Sequence, residues 1–210
     1  MAKSRYLSYH LCLLLLSWSI AGILPSVAQI GPERGKIGPE VSSFSKKEDT
    51  SDLRDRLISI ALAEVGTREI GKNNYGPGPK KYLAACGLPE GYAYCACFVK
   101  WVHLQAGIKT KGTAWSPSWS VGPEVYYKRN QSTQSVAELV EAGDVFTLYY
   151  THLKRVGHVG LINIANDPRA DDWYYTIEGN TNGEGSREGD GVHKRRRLKR
   201  SIYSLARYLP

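Results

Sequence analysis

Apolar residues first recur at helical spacing a quarter of the way along the chain. They fall on one stripe of a helix, at Leu53, Leu57, Ile60, Ala61 and Val65. Thr50 or Ser51 can cap the N-terminus of this helix, and Gly66 suits its C-terminus. This pattern predicts an α-helix at the start of the folded region.

A second stripe lies in the segment YCACFVKWVHLQAGI, which ends near Gly107. The residues at positions i, i+3, i+4, i+7 and i+11 of this stripe are Cys95, Phe98, Val99, Val102 and Ala106. The spacing predicts a core helix that carries Cys95 in its first turn. Between the two stripes, residues 79–86 predict a short helix with Pro79 early in it.

Beyond Gly107 the pattern becomes typical of strands. Apolar, aromatic and β-branched residues dominate the segments 145–150, 158–165 and 173–177, and further strands are expected from Val192 onward and over 202–208. A short helix is expected near Glu124. Helices followed by strands predict an α+β domain with an antiparallel sheet.

The N-terminal part of the chain has the composition of a targeting segment and a linker. Lys3 and Arg5 precede an apolar run, and Ser26-Val27-Ala28 is a small-x-small cleavage site, so residues 1–28 are predicted to be a signal peptide. An uncleaved membrane anchor is the alternative. Residues 29–50 are rich in Pro, Gly, Ser, Lys and Glu, which predicts a flexible linker before a domain at 51–210.

Three cysteines remain after the predicted cleavage site: Cys86, Cys95 and Cys97. An odd number in an exported protein suggests that one thiol is left free. Cys86 and Cys97 can pair and leave Cys95 free, which stays a hypothesis at this point. Removal of Lys3 and Arg5 lowers the formal charge from +8 to +6.

Cys95 is the candidate nucleophile, because the N–H groups of a first helical turn favour a thiolate and can bind an oxyanion. The alternative is that Cys95 is a small core residue.

The base must be a histidine elsewhere in the chain. His103 lies eight residues along the same helix, about 12 Å away, and is too distant from Cys95 to act as its base. His152 lies in a polar stretch and His193 opens a basic run, whereas His158 begins an apolar strand beside a turn. His158 is therefore the candidate base.

A third group is expected to orient the His158 ring. If residues 166–172 connect two antiparallel strands, their pairing is centred near residue 169 and His158 lies opposite residue 180. Glu178 and Asn180 then lie on one face of their strand, and either can accept a hydrogen bond from the ring. The alternative is that Glu-Gly-Asn-Thr is only a turn.

These segments resemble the motifs of the CHAP domain, the cysteine- and histidine-dependent amidohydrolase/peptidase. YCACFVKWV is similar to its Cys motif, GDVF followed by GHVGLI to its His motif, and IEGNT to its Glu-x-Asn motif, in the family's order. The resemblance covers roughly residues 52 to 208 and implies a papain-like fold. It implies that Cys95 is the nucleophile, His158 the base, and Glu178 and Asn180 the residues that orient His158 or polarise the substrate. Many relatives have Trp at the position of Tyr94.

The resemblance implies an exported enzyme, secreted or periplasmic, that cleaves peptidoglycan at the muramoyl–L-alanine amide or within the peptide stem. A papain-like transpeptidase, a toxin effector or a non-catalytic wall-binding module are the alternatives. Candidate substrate-binding residues are Asn74, Tyr94, Trp115 and Trp119, although the sequence favours ordinary loop and core positions for them.

Partners and cofactors follow from the same interpretation. Six cations in the run HKRRRLKR are candidates for binding anionic wall polymers, or form a solvated basic face: Lys194, Arg195, Arg196, Arg197, Lys199 and Arg200. We expect no nucleic-acid partner and no stable membrane anchor after signal cleavage. No metal-ligand spacing is present, residues 166–172 read as a turn rather than a calcium loop, and no cofactor is expected.

Overall fold

The computed structural model describes residues 49–131, 139–163, 172–184 and 189–209, all of which belong to one compact unit, Ser45–Pro210. The predicted signal peptide and nearly all of the predicted linker lie outside the described residues, as does most of the predicted turn at 166–172. In the described ranges, no helix is long and apolar enough to cross a membrane.

Within residues 49–131, three α-helices form the first half of the domain. They are α1 (Thr50–Ala63), α2 (Pro77–Ala84) and α3 (Cys95–Gln105). The cap of α1 is Asp49 rather than Thr50 or Ser51, because the Asp49 carboxylate accepts the Ser51 N–H at 3.2 Å. Gly66 lies just beyond α1 with a φ of 95°, which a left-handed turn after a helix requires.

In the described residues, six strands form the second half of the domain. They are β1 (Val125–Lys128), β2 (Val145–Tyr150), β3 (Arg155–Ile162), β4 (Trp173–Thr181), β5 (Gly191–Leu198) and β6 (Ile202–Ala206). They pair antiparallel in the order β1-β6-β2-β3-β4-β5. The helix expected near Glu124 was wrong: a 3₁₀ turn spans Ser116–Ser120, and Val125 begins a strand that pairs with β6.

Helix α3 packs on the sheet through a close approach to β4. A Cβ atom on Gly179 would lie 2.7 Å from Cβ of Phe98, so only glycine allows this separation. The buried residues of α3, among them Phe98, Val99 and Val102, share one core with Val159, Leu161 and Ile177 of the sheet. The α+β prediction is confirmed, with the cysteine-bearing helix packed against an antiparallel sheet as a papain-like fold requires.

Candidate active site

Cys95 is the first residue of α3 and lies at the wall of a small cavity. The N–H groups of a first helical turn have no partner within the helix, so the thiol lies where a helix favours negative charge. The side chain is almost fully buried, and its Sγ atom lies 3.5 Å from Oγ of Ser116. The cavity has a volume of about 90 Å³ and is lined by Ala93, Cys95, Ala114, Trp115, Ser116, Arg155, Gly157 and Asn180.

His158 of β3 is buried beside Glu178 of the neighbouring strand. The β3–β4 pairing matches Leu161 with Ile177 and Ile162 with Thr176, a register centred on residue 169, as the hairpin argument assumed. His158 Nε2 lies 2.7 Å from Oε2 of Glu178. Gly160 makes room for this contact, since a Cβ there would lie 2.8 Å from Cγ of Glu178. Glu178, one of the two candidate orienting residues, therefore contacts the imidazole.

The Glu178 carboxylate has further partners besides His158. Thr176 Oγ1 donates to Oε1 at 2.6 Å, and Arg197 Nε donates to the same oxygen at 2.8 Å, while Nη2 of Arg197 bonds Oε2. The side chain of Arg197 is only 13% exposed. This corrects the expectation that Arg197 belongs to a surface for wall polymers, because its guanidinium is occupied inside the domain. Sequence reasoning missed this role, since Arg197 looks like any other member of its basic run.

Burial at this site disfavours the charged forms of the side chains, but their neighbouring charged and polar groups favour these forms more strongly. Burial lowers the pKa of His158, yet the nearby Cys95 thiol and Glu178 carboxylate raise it to about 9. Burial raises the pKa of the Cys95 thiol, but His158, Ser116 and the Val159 N–H bring it below the ordinary value. Arg197 and His158 likewise overcome burial and hold the pKa of Glu178 far below its usual range. These directions favour a thiolate beside an imidazolium.

Asn180 lies in a bulge of β4 and lines the same cavity as Cys95. Its φ is 54°, and the pairing of β4 with β5 shifts between Gly179 and Thr181. Burial raises the pKa of the nearby Tyr94 hydroxyl, Glu69 raises it further, and the Asn180 backbone lowers it. Asn180 thus acts on Tyr94, the residue that precedes Cys95, and it lines the cavity of Cys95.

Of the four candidate substrate-binding residues, three lie away from the lining of the Cys95 cavity and one lies in it. Trp119 is fully buried, donates from Nε1 to the Thr113 carbonyl at 2.9 Å and packs against Tyr208. Tyr94 is buried and stacked on Tyr82, and Asn74 is buried in a left-handed turn. None of these three lines the Cys95 cavity, because each is held within the core or its own loop. Trp115, by contrast, is 60% exposed and lines it.

Cys86, Cys97 and His103 do not line the Cys95 cavity. Cys86, Cys95 and Cys97 are all free thiols, so the hypothesised disulfide between Cys86 and Cys97 is not formed. His103 is buried, with Nδ1 at 2.8 Å from the Val99 carbonyl oxygen. No group of three or more acidic, His or Cys side chains is arranged for a metal ion within the described ranges.

Five of the six basic-run cations are at the surface of the edge strand β5 and the turn after it. Lys194, Arg196 and Arg200 are exposed, and Arg195 and Lys199 are partly exposed. The Arg196 guanidinium lies over the Trp173 ring at 4.9 Å. A shallow depression lined by Trp173, Tyr175, Lys194, Arg195 and Arg196 runs along this edge. The surface is strongly cationic and carries two aromatic rings.

Comparison with protein families identifies residues 87–180 as a match to the CHAP domain. This span holds Cys95, His158, Glu178 and Asn180, and the resemblance predicted from the sequence is confirmed over it. No curated protein matches the chain.

Several solved structures are similar to the chain at low identity. The P60 domain of an antigen from M. avium paratuberculosis is 15% identical, with a TM-score of 0.42, covering 75% of this chain and 94% of that one. RipD from Mycobacterium tuberculosis, described as a non-catalytic NlpC/p60 domain protein adapted to peptidoglycan binding, is 16% identical, with a TM-score of 0.42 and coverage of 75% and 98%. The endolysin LysIME-EF1 is 18% identical, with a TM-score of 0.45 and coverage of 75% of this chain but 64% of that one, less than two thirds of its length.

Proposed function

We propose that this chain, whose residues 87–180 match the CHAP domain, is a peptidoglycan hydrolase. In this proposal it cleaves an amide bond, with Cys95 as the nucleophile and His158 as the residue that transfers the proton. CHAP domain hydrolases act on peptidoglycan, which supports the substrate class. The observation that carries the proposal is the buried group formed by Cys95 at a helix start, His158, and Glu178 at 2.7 Å from the imidazole. A cysteine, its base and the residue that orients the base are the parts that thiol hydrolysis needs.

The reaction begins with attack of the Cys95 thiolate on the amide carbonyl carbon. The N–H groups in the first turn of α3 stabilise the oxyanion that forms on the carbonyl oxygen. The imidazolium of His158 then donates its proton to the departing amine as the C–N bond breaks, leaving a thioester on Cys95. Neutral His158 takes a proton from water, whose oxygen attacks the thioester. The acid leaves, and the thiolate and imidazolium are restored.

The cavity beside Cys95 supplies groups for binding the stem peptide. Arg155, Asn180 and the exposed Trp115 line it. In the part of the chain that the structure describes, Arg155 forms no ion pair; Nη1 bonds the Val156 carbonyl at 2.9 Å. An arginine in this position suits a substrate carboxylate, which it can bind through two N–H groups. Asn180 is proposed to bond the substrate carbonyl or amide.

Wall association and export are further parts of the proposal. The exposed cations of the edge strand, among them Lys194, Arg196 and Arg200, suit an anionic wall polymer. The apolar run within residues 1–28 supports export and cleavage after Ala28. Both features are consistent with an enzyme that works on the bacterial wall outside the cytoplasm.

The test is digestion of purified peptidoglycan by residues 29–210, beside the Cys95→Ala variant, with products identified by mass spectrometry. Fragments released by the wild type alone support the proposal, and their new termini distinguish a muramoyl–L-alanine amidase from a stem endopeptidase. New cross-links in place of new acid termini would indicate transpeptidation. Activity that survives Cys95→Ala contradicts the role of Cys95, and wall binding by both proteins without any cleavage would indicate a binding module.

A further inference from the structure

Arg197 differs from the other cations of its run in where its side chain lies. It stands near the end of β5, where its backbone pairs with Tyr174 of β4. The neighbouring Arg196 is exposed and lies over Trp173, whereas Arg197 reaches along the sheet to Glu178. Its guanidinium bonds both carboxylate oxygens, one of them at 2.8 Å. Such a two-pronged contact fixes the plane of a carboxylate as well as its charge.

The described hydrogen bonds of Glu178 have two roles. Those from Thr176 and Arg197 hold its carboxylate in place, and the remaining one joins it to His158. Oε1 accepts from Thr176 and Arg197, and Oε2 accepts from Arg197 and from His158. Because Glu178 is fully buried, an ionised carboxylate there needs these partners to offset the loss of water. Arg197 supplies a full positive charge and two of the four hydrogen bonds described for this carboxylate.

We propose that Arg197 is a positioning residue of the active site, which fixes the ionised Glu178 carboxylate so that His158 presents its other nitrogen to Cys95. For its effect on turnover this inference rests on the proposed function. Its effect on the thiol does not, because the ionisation of Cys95 can be measured without any substrate.

Loss of the two hydrogen bonds from Arg197 to Glu178 is expected to affect the Cys95 thiol through Glu178 and His158. A buried Glu178 without its guanidinium partner takes up a proton more readily, and a neutral carboxyl no longer stabilises the imidazolium. The Cys95 thiolate then loses the cation that favours it. The charged and titratable groups along this chain of contacts include Cys95, His158, Glu178 and Arg197. Tyr150 acts on Arg197, and Arg155 lines the Cys95 cavity. Removal of Arg197 is therefore expected to move thiol ionisation to higher pH.

The experiment measures the rate of alkylation of Cys95 by iodoacetamide as a function of pH, with the modified residue located by mass spectrometry. The Cys95→Ala variant gives the contribution of Cys86 and Cys97, which is subtracted. Arg197→Gln is expected to slow alkylation about tenfold at pH values below the wild-type midpoint, which equals one pH unit in that midpoint. Arg197→Lys keeps the positive charge but cannot form the two-pronged contact with the carboxylate. It is expected to slow alkylation less, by about threefold.

Arg207→Gln is the matched control, because it also removes an arginine that bonds both oxygens of a buried carboxylate. Arg207 Nε and Nη2 each lie 2.8 Å from an oxygen of Asp144, and these residues contact none of Cys95, His158 and Glu178 in the contacts that the structure describes. The control is expected to lower stability and to leave the alkylation profile unchanged. An equal slowing in Arg207→Gln would overturn the inference, since the effect would then reflect general loosening of the fold.

Peptidoglycan turnover is measured alongside alkylation. In Arg197→Gln kcat is expected to fall about 10- to 100-fold with KM unchanged, as when a metal-ligating side chain loses the partner that orients it. A folded Arg197→Gln with wild-type alkylation and kcat overturns the proposal. If that variant does not fold, a wild-type profile in Arg197→Lys overturns it. A wild-type protein that cuts no wall while Arg197→Gln still slows alkylation removes the proposed function and supports the positioning role.

Discussion

Nε2 of His158 and Oε2 of Glu178 lie 2.7 Å apart, in side chains that are both completely excluded from solvent. An ionised carboxylate has no proton to donate, so Nε2 carries the hydrogen of this bond. The other ring nitrogen, Nδ1, is buried and has no hydrogen bond of normal geometry within the described residues, although His158 and Cys95 shift each other's pKa. The contact with Glu178 thus leaves Nδ1 available to the thiol.

Replacement of Glu178 by Gln tests which residue orients the imidazole. The neutral amide cannot stabilise an imidazolium, so kcat is expected to fall at least about 100-fold. The change also leaves the Arg197 cation without its buried carboxylate, with a stability loss of roughly 3 to 5 kcal/mol. Asn180→Ala is the comparison variant and is expected to retain more activity. Steady-state kinetics and thermal melts of both variants check this, and the reverse order of activities would assign the orienting role to Asn180.

The pH dependence of activity follows from the two shifted groups. The reaction needs Cys95 deprotonated and His158 protonated, and the thiol pKa is lowered while that of His158 is raised to about 9. Activity is therefore expected to rise below the usual pKa range of a thiol and to fall as the pH passes about 9, because His158 then has no proton for the departing amine. A profile of kcat/KM against pH checks this. Activity still rising between pH 9 and 10 would show that His158 does not act as the acid.

Arg155 is predicted to recognise a carboxylate of the substrate. Replacement by Gln removes a charge-assisted hydrogen bond worth roughly 1.5 to 3 kcal/mol, so KM is expected to rise about 10- to 100-fold with little change in kcat. Stem peptides with the carboxylate amidated should show no difference between the wild type and Arg155→Gln. Lys154→Gln is the matched control, because Lys154 is the adjacent cation and does not line the cavity. Equal KM values for Arg155→Gln and wild type would exclude this contact.

His103 is predicted to make the fold sensitive to acid. Burial lowers its pKa from 6.5 to about 4, so the unfolded chain binds a proton below pH 6.5 that the folded chain binds only below about 4. Stability from this residue is present above pH 6.5 and is lost as the pH falls toward 4, by about 3 kcal/mol in all. His103→Phe, which keeps a ring beside Trp119 and Tyr208, should flatten the dependence of Tm on pH over this window. The exposed His152→Gln serves as control, and a slope unchanged by His103→Phe would contradict the prediction.

Local pattern was enough to predict the elements that carry the proposed chemistry. The stripe from Cys95 to Ala106 has the spacing of one helix face, and α3 spans Cys95–Gln105. The hairpin register also followed from the sequence, because antiparallel strands joined by one turn pair symmetrically about its centre. That symmetry brought Glu178 and Asn180 opposite His158, but it could not choose between them, since both lie on the same face.

Contacts between distant segments decided what the sequence left open. Segment 125–128 is a strand because β6, near the C-terminus, pairs with it, and no short-range pattern reveals that partner. Trp119 is a core residue because its ring meets Tyr208, although its local sequence resembles a loop. Arg197 is indistinguishable by sequence from the cations beside it. Its role depends on the pairing of β5 with β4 and on the burial of Glu178, which arise only when the whole sheet has formed.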